Sequence, residues 1–303
     1  MATLAEWVAG ARPRTLPAAV SPVLVGTGAA YAVGRGNASL AVLALAVSLA
    51  LQVAVNYAND YSDGVRGTDA RRVGPVRLVG QGLAAPGDVK LAAYVAFFLA
   101  ALFGFALIAL SESWILVPIG VACIAAAWGY TGGRRPYGYR GLGEVMVFVF
   151  FGLVATLGTL MTQARTLTWP GLACAVGVGA LASAILVANN LRDIPTDRVS
   201  GKTTLAVRLG DPATRRLWGL LVVVALAMVV VVACWYPLAL LALPSAALAV
   251  APWRVLRSGA LGRELVPVLV ATGRLQLGYA VLLAAALIAA GSGFGPGSLL
   301  GAG

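Results

Sequence analysis

Apolar runs long enough to cross a lipid bilayer fill nearly the whole of this chain, and that feature excludes most folds. A membrane-spanning helix needs about 20 largely apolar residues. Nine segments qualify as candidates: 17–34, 39–59, 91–110, 114–130, 142–163, 169–189, 217–235, 237–253 and 273–290. Inside lipid each backbone N–H and C=O must find a partner within its own segment, so runs of this kind predict helices. Composition points the same way. Of 303 residues, 60% are hydrophobic and 11% charged, against about 25% charged in soluble domains. The expected architecture is an all-α polytopic membrane protein, one integral domain over residues 1–303, with nine helices around a central cavity. The eighth run is broken by Pro237 and Pro244 and follows the seventh almost without a loop, which predicts a tight helical hairpin. Residues 4–14 read as a short interfacial helix anchored by Trp7, ahead of a first span that is retained rather than cleaved.

The formal charge of +11 would suggest nucleic acid in a soluble protein. Here the basic residues cluster in short connections. Only Arg35 and Arg165 lie outside the N-terminal segment and the alternate loops that hold all the others. That asymmetry places the N-terminus in the cytosol and the C-terminus outside, and leaves no nucleic-acid partner to expect. The arginine-heavy usage suggests the plasma membrane of a bacterium with a GC-rich genome. Histidine is absent, and Cys123, Cys174 and Cys234 each sit within an apolar run. A zinc site of the usual kind and a Ser-His or Cys-His nucleophile are therefore excluded.

The 11 acidic residues are unevenly spread. Asp60, Asp63 and Asp69 follow the second span, and Asp193 and Asp197 follow the sixth. Asn56, Asp60 and Asp63 stand at i, i+4, i+7, one stripe on one helical face. Asn190, Asp193 and Asp197 stand at i, i+3, i+7 and form the same stripe. Asp193 comes 133 residues after Asp60 and Asp197 comes 134 after Asp63. Four spans per repeat is an even number, so the segments around 56–69 and 189–202 would be parallel copies facing each other across a cavity. Gly64 and Gly67 break the helix before Asp69, which makes it the weakest of the five.

Carboxylates so placed repel one another and lose hydration. Mg²⁺ resolves that conflict, since it takes one or two carboxylates, waters and substrate phosphates. The neighbouring Arg66, Arg71, Arg72, Arg77, Arg134, Arg192, Arg198 and Lys202 suit a multiply charged phosphate. Acid and base on one membrane face read together as Mg²⁺ plus a diphosphate.

At these residues the sequence resembles the UbiA-type intramembrane prenyltransferases. Asn59-Asp60-x-x-Asp63 matches the family's first motif and Asp193-x-x-x-Asp197 its second; Asp69 departs, because the short form of the motif would place its third acid at Gly67. Ala11-Arg12-Pro13-Arg14-Thr15, Gly74-Pro75-Val76-Arg77, the stretch from Tyr130 to Glu144 and Gly201 to Val207 resemble the branch that acts on 1,4-dihydroxy-2-naphthoate. The resemblance runs from about residue 7 to 290. It implies transfer of a polyprenyl group from polyprenyl diphosphate to the naphthoate ring, with loss of carbon dioxide, giving demethylmenaquinone for menaquinone biosynthesis.

The expected roles follow. Asp60, Asp63, Asp193 and Asp197, with Asp69, are the Mg²⁺ ligands, and Lys202 is the catalytic cation. Asn56, Asn59, Arg66, Arg77, Asn189, Asn190 and Arg198 are expected to hold diphosphate or acceptor. Tyr130, Tyr137 and Tyr139 line the chamber, with Tyr57 and Tyr61 as further candidates to shield an allylic cation. No general base is evident; Glu144 is the only spare acid, and it equally suits a helix start. The same chemistry on 4-hydroxybenzoate or homogentisate is the nearest alternative. A divalent-cation or phosphate transporter is the alternative of another class, and a lipid-binding scaffold a third.

Overall fold

A computed structural model describes residues 2–67, 76–133 and 136–292. Asp69, Arg71, Arg72 and Arg134 lie outside the described residues. Helices account for the architecture: α1 (Leu4–Gly10), α2 (Leu16–Ala32), α3 (Ala38–Val65), α4 (Pro86–Ser111), α5 (Leu116–Gly129), α6 (Gly143–Ala164), α7 (Trp169–Val199), α8 (Leu205–Leu209), α9 (Asp211–Ala233), α10 (Pro237–Arg257) and α11 (Gly262–Gly291). No strand occurs among the described residues.

Among the described residues, eight helical segments are long and apolar enough to span a membrane. The fourth expected segment, 114–130, is helical only over the 14 residues of α5. At 1.5 Å per residue it reaches about 21 Å, less than the roughly 30 Å hydrocarbon layer. Ser111-Glu112-Ser113 at one end and Gly129, Gly132 and Gly133 at the other set its limits. Around Pro237 and Pro244 the chain is a 3₁₀ helix over Pro237–Ala246, becoming α-helical only from Ala247. A proline lacks the N–H that an α-turn needs there. Ahead of the first span, Thr3 and Glu6 form a reciprocal capping box, and α1 ends at Gly10, short of the expected Arg14.

The centre of the bundle is α7, most of whose residues are buried. It packs on α9 and α11 through Val178, Leu181, Val222, Ala225, Tyr279 and Leu283. Lipid tails are as apolar as leucine, so helices within a membrane gain by close approach rather than by escaping water. Small residues allow that approach. A Cβ built on Gly152 of α6 would stand 2.4 Å from Gly179 Cα on α7, so neither helix has room there for a larger residue. Beside this contact, Phe148–Val154 is a π-helical segment. Such wide turns occur mostly at functional sites, and here the segment places Phe150, Phe151 and Val154 on a cavity wall.

Candidate active site

The last turns of α3 and α7 carry the two polar stripes on helical backbone, as their spacing predicts. Asn56, Asn59, Asp60 and Asp63 are buried on α3, and Asn190, Asp193 and Asp197 on α7. Both reach toward a cavity of about 580 Å³ bounded by α2 to α7. Asp63 and Asp197 line it together, with Asn56, Asn59, Asn189 and Asn190. Asp60 and Asp193 do not. They stand behind the cavity wall and hold its parts in place.

Asp60 is fully buried and accepts from the backbone N–H of Leu78 at 2.7 Å and of Val79 at 3.1 Å. Those two bonds fold residues 77–79 back over the end of α3 and carry Arg77 into the cavity wall. Buried Arg77 then lies 3.9 Å from Asp63. Asp193 plays the corresponding part on α7: Arg192 reaches both its oxygens, at 2.7 and 2.8 Å, and also donates to Asn189 Oδ1 at 2.8 Å.

Asp63 is the hub of the polar end. The Tyr139 hydroxyl donates to it, and Lys202 Nζ stands 3.6 Å away. The Lys202 ammonium also lies 4.5 Å from the centre of the Tyr139 ring, with the Arg66 guanidinium at 5.6 Å. Ring and hydroxyl of Tyr139 are thus committed to organising charge. Lys202 reaches this place because its own N–H bonds back to the Asp197 carbonyl at 2.9 Å, closing α7 just after the acidic stripe.

The remaining predicted residues divide. Tyr130 and Tyr137 line the cavity, packed edge to face. The Tyr137 hydroxyl donates to the Ala126 carbonyl at 2.8 Å, and burial pushes its pKa up to about 12, so it is a neutral post. Tyr57 bonds to the Trp7 carbonyl and Tyr61 stacks on Trp128; neither is among the cavity-lining residues. Arg66 donates to the carbonyls of Thr131 and Gly133, tying α3 to the loop after α5, and Arg198 is exposed.

Arg12 also lines the cavity, although in the sequence it bears only on orientation and on the family resemblance and is not among the expected site residues. Its φ of 55° is a left-handed conformation that non-glycine residues seldom adopt. Asn56 fixes this turn, donating to the Ala11 carbonyl at 2.8 Å and to Thr15 at 3.1 Å. A basic residue in a Pro-rich segment directly before the first span was the available signal.

These residues suit a Mg²⁺-diphosphate. Hard oxygen donors from two helices, Asp63, Asp197 and the Asn56 side-chain carbonyl, border one cavity that also holds Arg12, Arg77 and Lys202. Among the described residues no group of three or more carboxylates converges tightly enough to cage an ion by itself. Two carboxylates and an amide oxygen fit a Mg²⁺ whose other ligands are phosphate and water.

Residues 19–264 match the UbiA prenyltransferase family. The chain belongs to that family. A 1,4-dihydroxy-2-naphthoate octaprenyltransferase from Mycobacterium tuberculosis is 56% identical over 290 residues, covering 95% of this chain and 98% of that protein. The enzyme of the same description from Escherichia coli is 42% identical over 231 residues, 73% of this chain and 75% of its own. In fold, the chain is similar to a UbiA homologue from Archaeoglobus fulgidus bound to GPP and Mg²⁺. The TM-score is 0.67 at 14% identity, over 94% of this chain and 99% of that one. The family places this chain among membrane prenyltransferases, and the all-helical fold agrees.

Proposed function

We propose that this chain transfers a polyprenyl group from polyprenyl diphosphate to 1,4-dihydroxy-2-naphthoate, with loss of carbon dioxide. One observation supports the reading most: a single cavity joins a charged end, with Asp63, Asp197, Arg12, Arg77 and Lys202, to an apolar end walled by residues such as Phe105, Ile108, Val117 and Phe151. A prenyl diphosphate has the same polarity. The naphthoate acceptor of the mycobacterial relative, matched over almost its full length, supports the same acceptor here.

In this reading Arg12, Arg77 and Lys202 bind the diphosphate oxygens and stabilise the charge that grows there as the allylic C–O bond breaks. Asp63 and Asp197 would hold Mg²⁺, which when bound supplies further neutralisation of the leaving diphosphate. Asp60 and Asp193 keep Arg77 and Arg192 in register behind them. The apolar walls keep water from the allylic cation until the ring attacks. The new carbon–carbon bond forms at the ring carbon bearing the carboxylate. Its departure as carbon dioxide returns an electron pair to the ring, so aromaticity is restored without a base. The product is the demethylmenaquinone skeleton, a precursor of menaquinone. The basic loops support a polar end of the cavity that faces the cytosol, in a bacterial plasma membrane, with the C-terminus outside.

The test is incubation of purified protein with Mg²⁺, a polyprenyl diphosphate and a panel of aromatic acids, followed by mass analysis of the lipid products. A prenylated naphthalene lacking the carboxyl group is expected. A product formed only from 4-hydroxybenzoate or homogentisate would replace the acceptor, and Mg²⁺ flux without any product would favour a transporter.

A further inference from the structure

Glu144, at the start of α6, has no part in the chemistry above, yet it is only 6% exposed. A buried carboxylate at the end of a membrane helix is costly and marks function by default. Its Oε1 accepts from Asn190 Nδ2 at 2.8 Å, while Oε2 is buried with no hydrogen-bond partner among the described residues. The backbone carbonyl of Glu144 takes the Ser183 hydroxyl at 3.1 Å, which fixes this end of α6 on α7.

The bond from Asn190 turns the amino side of its amide toward Glu144. The carbonyl Oδ1 is then left for the cavity that Asn190 lines. Asn190 stands seven residues before Asp197 on α7, about 10 Å deeper along the helix axis. It lies beyond the charged end, where the aromatic acceptor has to meet the allylic carbon. Its surroundings suit a flat ring: Tyr130 and Leu186 line the same part of the wall, and both approach Gly143, the residue before Glu144.

We propose that Glu144 is a positioning residue that turns the Asn190 carbonyl into the cavity, where it accepts a hydrogen bond from a ring hydroxyl of the acceptor. The proposal rests on the acceptor reading above and deepens it into a rule of selection. A site built to bond a hydroxyl discriminates against the analogue that lacks it. The Glu144–Asn190 pair therefore sets preference for free hydroxyls over methyl ethers and leaves prenyl diphosphate binding untouched.

The experiment compares purified wild-type enzyme with E144A, E144Q and N190A. KM and kcat are measured for 1,4-dihydroxy-2-naphthoate, for its two mono-methyl ethers and for the prenyl diphosphate. Loss of one neutral hydrogen bond should raise the acceptor KM about tenfold in E144A and N190A. E144Q should recover most of that, since its amide oxygen can still receive Asn190. The preference for free hydroxyl over the disfavoured ether should shrink in step, with the prenyl diphosphate KM unchanged. A merely structural role for Glu144 would move both substrates' constants alike. N190A keeps the test open if E144A does not fold, because it removes the cavity-facing amide while the bond from Ser183 to the Glu144 carbonyl still fixes α6 on α7. Unchanged acceptor KM and discrimination in a folded variant would overturn this inference alone; wild-type enzyme inactive on every aromatic acceptor would overturn the acceptor reading and this inference with it.

Discussion

Replacing Tyr139 with phenylalanine isolates one bond at the centre of the charged end. The variant removes the hydroxyl that donates to Asp63 and keeps the ring over which Lys202 lies at 4.5 Å. A hydrogen bond to a charged group contributes about 1.5–3 kcal/mol. Asp63 retains Lys202 at 3.6 Å and Arg77 at 3.9 Å, so the lower end applies. A loss of about 1.5 kcal/mol lowers kcat/KM for the prenyl diphosphate about tenfold. Tyr139→Leu also removes the ring face, and with it a cation–π contribution of about 0.5–2 kcal/mol. It should be slower again by a few-fold or more. The assay varies prenyl diphosphate at saturating acceptor and follows prenylated product by chromatography. Tyr139→Phe at wild-type kcat/KM, or Tyr139→Leu no slower than Tyr139→Phe, would refute the view that this residue organises Asp63 and Lys202.

Asp63→Ala and Asp197→Ala are each expected to abolish turnover while the protein still inserts in the membrane, and EDTA should silence the wild type until Mg²⁺ is restored. Normal product formation by either variant would remove the metal assignment. Gly152→Leu should overpack the contact with Gly179 and cost about 1–3 kcal/mol, read as a lower melting temperature in detergent; an unchanged melting temperature would mean the two helices do not meet so closely. Single cysteines at exposed Thr203 and Glu112, in a background without the native three, should label from opposite sides of a sealed membrane. Thr203 should react only from the cytosol, and labelling from outside would invert the orientation.

How far the sequence reveals this protein differs between helices and side chains. Span positions are legible because lipid permits so few backbone solutions, and even the irregular tenth helix announces itself through Pro237 and Pro244. The 14-residue limit of α5 is less visible, because 114–130 is apolar throughout and only its glycines and serines mark the ends. At the site, spacing alone finds both stripes. It does not separate Asp63 from Asp60, three residues apart on one face, because their difference lies in what packs against them from elsewhere in the chain. The residues that fold back as 77–79 claim Asp60, and that contact has no local signature. Arg12 escapes for a similar reason: its part depends on a left-handed turn pinned by a residue 44 positions later, Asn56.

That division of labour explains how acidic groups can persist at the end of a membrane helix. Burial of a carboxylate carries a desolvation cost, and three of them meet it with different partners: amides for Asp60, a guanidinium for Asp193, and a tyrosine with two cations for Asp63. The Arg192 guanidinium neutralises Asp193 where it stands, whereas the amides leave Asp60 its charge, which Arg12 meets from the cavity wall. What the cavity itself presents is Arg12, Arg77 and Lys202 against Asp63 and Asp197, an excess of positive charge. A diphosphate ester carrying one Mg²⁺ keeps a residual negative charge, which is opposite to the lining. The lining thus fits a metal and a diphosphate arriving as one unit, in keeping with the prenyl-transfer reading.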